Sequence, residues 1–212
     1  MKLFSPDSKF MRAMSTLGDL MLLNIVFLLC CVPVVTIGAA VTALDTVVFR
    51  LVRETGGQVF PAYFRAFRQN FRRATALWLL LLAAGGVALL DIWIFAAFPS
   101  ALRLIEIPFV LLLLLVFFTA TYTFPLLSQF ENGVRATLKN ALFLSLGFLP
   151  RTLAASALNV LPFALLLLDT VFFLKAGFFW VFLYFSAAAF LNAKLLEKVF
   201  APYREEKKEE AS

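Results

Sequence analysis

From Ala76 to Phe98 the chain reads ALWLLLLAAGGVALLDIWIFAAF, with Asp91 as its sole charged side chain. A helix needs about 20 apolar residues to cross the roughly 30 Å hydrocarbon layer of a bilayer. Inside lipid every backbone N–H and C=O must be paired within the protein, which leaves a helix as the state for an isolated run of this length. Just upstream lies PAYFRAFRQNFRRAT, Pro61 to Thr75. Wound as a helix, it sets Phe60, Tyr63, Phe64, Phe67 and Phe71 in one stripe and Arg65, Arg68 and Arg72 in a second beside it. That pattern predicts a surface helix over 60–73, its rings in lipid or against a bundle and its guanidinium groups among water and phosphate. The span itself is expected at 74–98.

Similar runs recur along the chain. Spans are expected at 17–35, 39–53, 108–129, 152–168 and 178–196. The 39–53 segment would be only about 22 Å long at 1.5 Å per residue. A re-entrant segment, or one long helix kinked at Pro33, stays open there. A second basic surface helix is expected at 131–147. The chain is 62% hydrophobic with 26 Phe, more apolar side chain than a soluble domain of this size buries. The predicted fold class is therefore all-α. It is a polytopic helical membrane protein of about six transmembrane helices in three hairpins, plus two amphipathic surface helices at the cytoplasmic side. Residues 1–200 form a single helical domain, and 201–212 a charged tail whose composition predicts disorder.

Charge sets the orientation. With six crossings, 17 of the 19 Lys and Arg residues fall on one side, leaving Arg103 and Lys175 on the other. The positive-inside rule then places both termini in the cytoplasm. The net charge of +6 sits in short segments between apolar runs, so anionic lipid headgroups are the expected partner and nucleic acid is not.

The chain has no histidine, which removes His-based triads and HExxH zinc sites. GxSxG, Walker A, GxGxxG and CxxC motifs are also missing from the sequence. No catalytic, cofactor-binding or metal-ligating residue is predicted, and the expectation is a protein that is not an enzyme. Cys30 and Cys31 are neighbours, so a mutual disulfide is geometrically unsuitable.

The polar residues inside apolar runs are the remaining candidates. Asp45 lies near the middle of the second span, where an ionisable group raises the question of function by default. Its alternative is a packed carboxyl, protonated or paired with a cation such as Arg50. Asp19, Asp91 and Asp169 fall toward span ends, where water is at hand. Asn24, Asn159 and Asn192 are expected to hydrogen-bond between helices, and the small-residue clusters at Ala83–Gly86 and Ala154–Ala157 to allow close helix approach. Arg65-Ala66-x-x-x-Asn70 recurs as Arg135-Ala136-x-x-x-Asn140, a faint repeat set against the alternative of two unrelated helices. If it is real, Asn70 and Asn140 are buried amides that lock their helices to neighbouring spans.

Several stretches together carry a resemblance. They are Gly18-Asp19-Leu20, PVVTIGAA from Pro33, FRAFRQNFRRAT from Phe64, FPLLSQFEN from Phe124, LKNAL from Leu138 and LPRTL from Leu149. In this order the chain resembles the YesL family of bacterial multi-pass membrane proteins, a family of unknown biochemical function. Family members are often encoded near carbohydrate ABC importers and sugar-responsive regulators. The resemblance implies an accessory or regulatory role beside such an importer or its sensor. A small-solute transporter is the alternative and an intramembrane enzyme a more distant one. Oligomeric state is not legible. Relatives commonly carry Pro at the position of Ala39 and an aromatic at that of Asp45, so any role of Asp45 would belong to this chain alone.

Overall fold

The computed structural model describes residues 9–55, 57–96 and 106–209. The architecture is all-α. The helices are α1 (Lys9–Cys31), α2 (Ile37–Val52), α3 (Val59–Ala96), α4 (Glu106–Gln129), α5 (Val134–Gly147), α6 (Leu149–Leu168), α7 (Thr170–Lys175), α8 (Gly177–Phe179) and α9 (Phe185–Glu209). A π turn, Trp180–Tyr184, joins α8 to α9. Among the described residues six helical stretches are long and apolar enough to cross a membrane. The chain is a multi-pass helical membrane protein.

Two helices joined by a short turn, not one kinked rod, make up residues 9–52. Pro33 has no N–H to continue α1, and its fixed φ turns the chain into a short 3-10 turn, Val34–Thr36. The Thr36 hydroxyl lies 2.6 Å from the Cys30 carbonyl and 2.7 Å from that of Pro33, closing the end of α1. With this turn, the stretch Val34–Val52 is long and apolar enough to span. Cys30 and Cys31 are free thiols.

The short helix α2 is the centre of the bundle, touched by α1, α3, α4 and α9. Its sequence explains why. Gly38, Ala39, Ala40 and Ala43 let neighbours approach closely, while Leu44, Val47, Val48 and Phe49 supply the bulk of the core. Tyr63 of α3, Tyr122 of α4 and Phe200 of α9 close around it, each fully buried. Glu54, at φ 52°, and Gly57, at φ 113°, reverse the chain toward α3.

The expected surface helix at 60–73 is not a separate element. α3 runs unbroken for 38 residues, about 57 Å, almost twice the hydrocarbon thickness. Between Pro61 and Gly85 there is no breaker, and Arg, Ala, Gln and Leu are good helix formers. The amphipathic segment is therefore the basic extension of a span. The side it turns to the bundle takes in only part of the aromatic stripe, Tyr63 and one edge of Phe67. Tyr63, Ala66, Ala74 and Leu77 are buried, whereas Phe60, Phe64 and Phe71 lie on an exposed shoulder. Packing selects small residues for the close α2–α3 contact and leaves most of the phenylalanine rings outside.

The second basic helix, α5, is separate, 14 residues long and about 21 Å. It lies along α4 with Thr137, Ala141 and Ser145 inward. Toward the C-terminus, Asp169 caps α7 by accepting from the Phe172 N–H at 2.9 Å, the structural use expected of an acid at a span end. α9 continues to Glu209, and Arg204 pairs with Glu197 on the same helix; the last residues of the expected tail, 210–212, lie outside the described residues.

Candidate functional site

Three polar assemblies interrupt the apolar bundle. The first lies between α1 and the π turn. Asn24 is fully buried. Its Nδ2 donates to the Trp180 and Val181 carbonyls at 3.0 and 2.6 Å, and its Oδ1 accepts from the Ser186 N–H at 2.9 Å. The Ser186 hydroxyl in turn donates to the Leu20 carbonyl at 2.7 Å. A π turn widens the helix and displaces its carbonyls from their usual partners. Here a side-chain amide fills the opening as a substitute peptide group. Asn192 and Asn159 form a second, simpler bridge at 2.9 Å, joining α9 to α6. All three asparagines thus work between helices.

The second assembly is at the basic end of the bundle and was not legible in the sequence. Arg53, at the C-terminus of α2, lays its Nε 3.1 Å from Glu197 Oε1. Its terminal nitrogen lies 2.9 Å from Glu197 Oε2 and 2.6 Å from Gln129 Oε1. The guanidinium also covers the Phe49 ring at 5.3 Å. Arg204 engages the same carboxylate, and Arg53, bonded to both Glu197 and Gln129, ties α2, α9 and α4 together. Arg53 and Glu197 are each about three-quarters buried, where charge-assisted bonds hold more than at the surface. The sole sequence signal was an acid standing in an otherwise basic turn; its partner is 144 residues away. Glu197→Gln is expected to cost about 2 kcal/mol, because two guanidinium groups lose their counter-charge. Thermal unfolding in detergent checks this, with the loss shrinking at high salt if Coulomb attraction is the cause. By contrast, the Arg12–Glu54 pair at 3.6 Å is mostly exposed and contributes little.

These contacts also test the topology. Arg12, Arg53 and Glu54, Gln129 and Glu197 come from chain segments expected on one side, and they meet there.

Asp45 forms the third. It is 6% exposed, and its Oδ2 is buried with no hydrogen-bond partner. The anticipated pairing with Arg50 is not made: Arg50 points outward and is exposed. An unpaired polar atom in the most tightly packed helix is a cost to folding. Asp45→Ala is therefore expected to raise stability in detergent by about 1 kcal/mol. A drop of that size would mean that something outside the chain partners the carboxyl.

The remaining candidates are at the basic end. Arg65, Arg68, Arg72 and Arg135 are all exposed, as expected for groups facing water or headgroups. The amide lock is corrected. Asn70 donates back to the Ala66 carbonyl of its own helix at 3.2 Å, and Asn140 is exposed on the rim of a shallow cleft with Phe130, Asn132, Phe143 and Tyr203. Neither reaches an adjoining span. The repeat fails with it, because Ala66 is buried and Ala136 exposed. One copy sits within a 38-residue helix and the other begins a helix of 14.

Residues 20–92 match a family model described as a protein of unknown function, DUF624. The matched region runs from α1 through α2 to near the end of α3, and so contains Asn24, Gly38, Asp45 and the arginine-rich turns. No curated protein and no solved structure matches the chain.

Proposed function

We infer that this is a non-enzymatic integral membrane protein of the YesL type, accessory or regulatory to a bacterial carbohydrate uptake system. It resides in the bacterial cell membrane with both termini cytoplasmic, and its basic end is the docking surface for importer subunits or a sugar-responsive sensor. The observation that supports this reading is the division of polar groups. Asn24, Asn159, Asn192 and Ser186 are engaged in helix–helix bonds within the spans. Exposed cations cluster instead at one end, on the first turns of α3 and on α5, where Arg65, Arg68, Arg72, Arg135 and Lys139 can meet a partner or anionic lipid, whereas the other end exposes Asp169 and Lys175. Such a molecule is built to hold a shape and present a face.

Purification in mild detergent with mass spectrometry of co-purifying proteins tests it. Importer or sensor subunits are expected with the native chain, and their loss is expected when Arg65, Arg68 and Arg72 are changed to Gln. Orientation is checked by single cysteines at Asn132 and Lys175, which should label from opposite faces, Asn132 from the cytoplasm. The second reading, a small-solute transporter, is favoured by the unpartnered carboxyl of Asp45 beside the break at Pro33–Gly38. Solute uptake by proteoliposomes containing this protein alone, abolished by Asp45→Asn, would establish that reading in place of the first.

A further inference from the structure

A cleft of about 690 Å³ opens between α6 and α9 at the basic end, away from the arginine stripe of α3. Its floor is apolar, made by Leu158 of α6 and Leu191 and Leu195 of α9, with Val52 of α2 at the back. Its rim carries Arg151, Lys194 and Lys198. On α9 the residues Leu191, Lys194, Leu195 and Lys198 recur at i, i+3, i+4, i+7, so that one face of the helix alternates chain-like floor with cationic rim. On α6, Arg151 and Leu158 share a face in the same way, two turns apart. The two helices are pinned deeper in the bundle by the Asn159–Asn192 bond at 2.9 Å and by the Tyr184 hydroxyl on the Leu158 carbonyl at 2.6 Å. From that pin Arg151 and Lys198 lie about 9–12 Å along the helix axes, and Lys194 about 3 Å.

The three rim cations make no ion pair among the described residues. Lys194 lies 4.5 Å from the Phe190 ring centre, and the Arg151 guanidinium 5.4 Å from that of Phe148. These are contacts that position a cation without neutralising it. The one acid in the lining, Glu197, is already engaged by Arg53 and Arg204. The rim therefore keeps its positive charge, directly above apolar side chains in a helix pair that faces lipid.

We propose that this cleft is a binding site for one anionic phospholipid, its phosphate held by Arg151, Lys194 and Lys198 and an acyl chain laid over Leu158, Leu191 and Leu195. The volume falls within the range of small-ligand clefts, and a basic rim between spans at this depth suits a headgroup. This site is independent of the docking surface on α3 and α5. An anionic lipid and a free phosphate share the chemistry of the rim; the apolar floor favours the lipid.

The test is native mass spectrometry of the full chain in mild detergent, titrated with phosphatidylglycerol or phosphatidylcholine of matched acyl chains. Phosphatidylglycerol is expected to bind at least tenfold more tightly. Arg151→Gln, Lys194→Gln and Lys198→Gln combined should remove that preference while thermal unfolding stays unchanged. If the triple variant does not fold, Lys194→Gln alone should weaken phosphatidylglycerol about fivefold. Arg65→Gln, Arg68→Gln and Arg72→Gln combined should leave it intact. Equal binding of the two lipids, a preference that survives the rim variants, or one lost equally on changing the α3 arginines would overturn the proposal. Displacement of the lipid by millimolar inorganic phosphate would replace it with a soluble-anion site.

Discussion

Gly38→Ala is expected to destabilise the bundle by about 3 kcal/mol, the upper part of the range for overpacking a tight core. A Cβ at position 38 would stand 2.5 Å from the Ala74 carbonyl oxygen and 2.6 Å from the Trp78 Cβ. Neither atom lies at the end of a flexible side chain, so no rotamer change relieves the contact; α2 and α3 must move apart. That displacement also disturbs the bond from the Trp78 Nε1 to the Val34 carbonyl, 2.9 Å long, which fixes the turn before α2. It would likewise loosen the packing of Ala39 against Ala74 and Leu77. The higher helix propensity of alanine returns at most about 1 kcal/mol. Thermal unfolding in detergent measures the difference, and Gly86→Ala is the control: nothing lies within 4 Å of the Cβ it would add. Equal stability of the two variants would show that the α2–α3 contact is softer than the backbone positions imply.

Asn24→Leu should cost a similar amount, again about 3 kcal/mol. The residue is close to isosteric, so little of the loss comes from a cavity. Its origin is the two carbonyls, Trp180 and Val181, and the Ser186 N–H, all left without the amide that now serves them. A buried group stranded in this way costs roughly 1–3 kcal/mol, and no water is available inside the bilayer to replace the partner. An alternative outcome is informative. If the π turn relaxes to a regular α-helix, the carbonyls find new N–H partners and the loss falls below about 1 kcal/mol. The register of α9 then shifts against α1, and the Ser186–Leu20 bond breaks. Asn159→Leu should matter less, about 0.6 kcal/mol, the average for a single interhelical hydrogen bond in a membrane protein.

The polar inventory shows why the basic end and the spans behave differently. Within the spans, interhelical amides serve geometry: Asn24 fits one local irregularity of the last helix, and Asn159–Asn192 fixes the separation of two helices. At the basic end, Arg53 joins three helices through Glu197 and Gln129, with Arg204 on the same carboxylate, while Arg65, Arg68, Arg72 and Arg135 are exposed. Asp45 belongs to neither group: like Thr75 Oγ1 and Glu106 Oε1, its Oδ2 is buried with no hydrogen-bond partner among the described residues.

The apolar runs alone decided that the chain is helical and crosses a membrane, because hydrocarbon allows an isolated segment no other way to pair its backbone. They gave the number of crossings and their order, but helix ends differ from the expected bounds by up to about fifteen residues, and Pro33 left open whether α1 and α2 are one kinked helix. The roles of the three asparagines were legible for the same reason: an amide in lipid must find a partner, and only another helix offers one. What the sequence did not contain was which faces meet. The aromatic stripe of α3 was expected in lipid or against the bundle, and the tight approach to Gly38 decides between them: it favours Ala66, Ala74 and Leu77 and turns Phe64 and Phe71 outward. Asn70 and Asn140 share a motif, but burial depends on what packs over them, and different helices pack over each. Glu197 and Arg53 are unremarkable singly and become a tie only when α2 and α9 are adjacent. Local spacing fixes the period of a helix and its length, whereas the choice of face depends on side-chain volumes contributed by residues far away in the chain, and that choice was made by the tertiary structure.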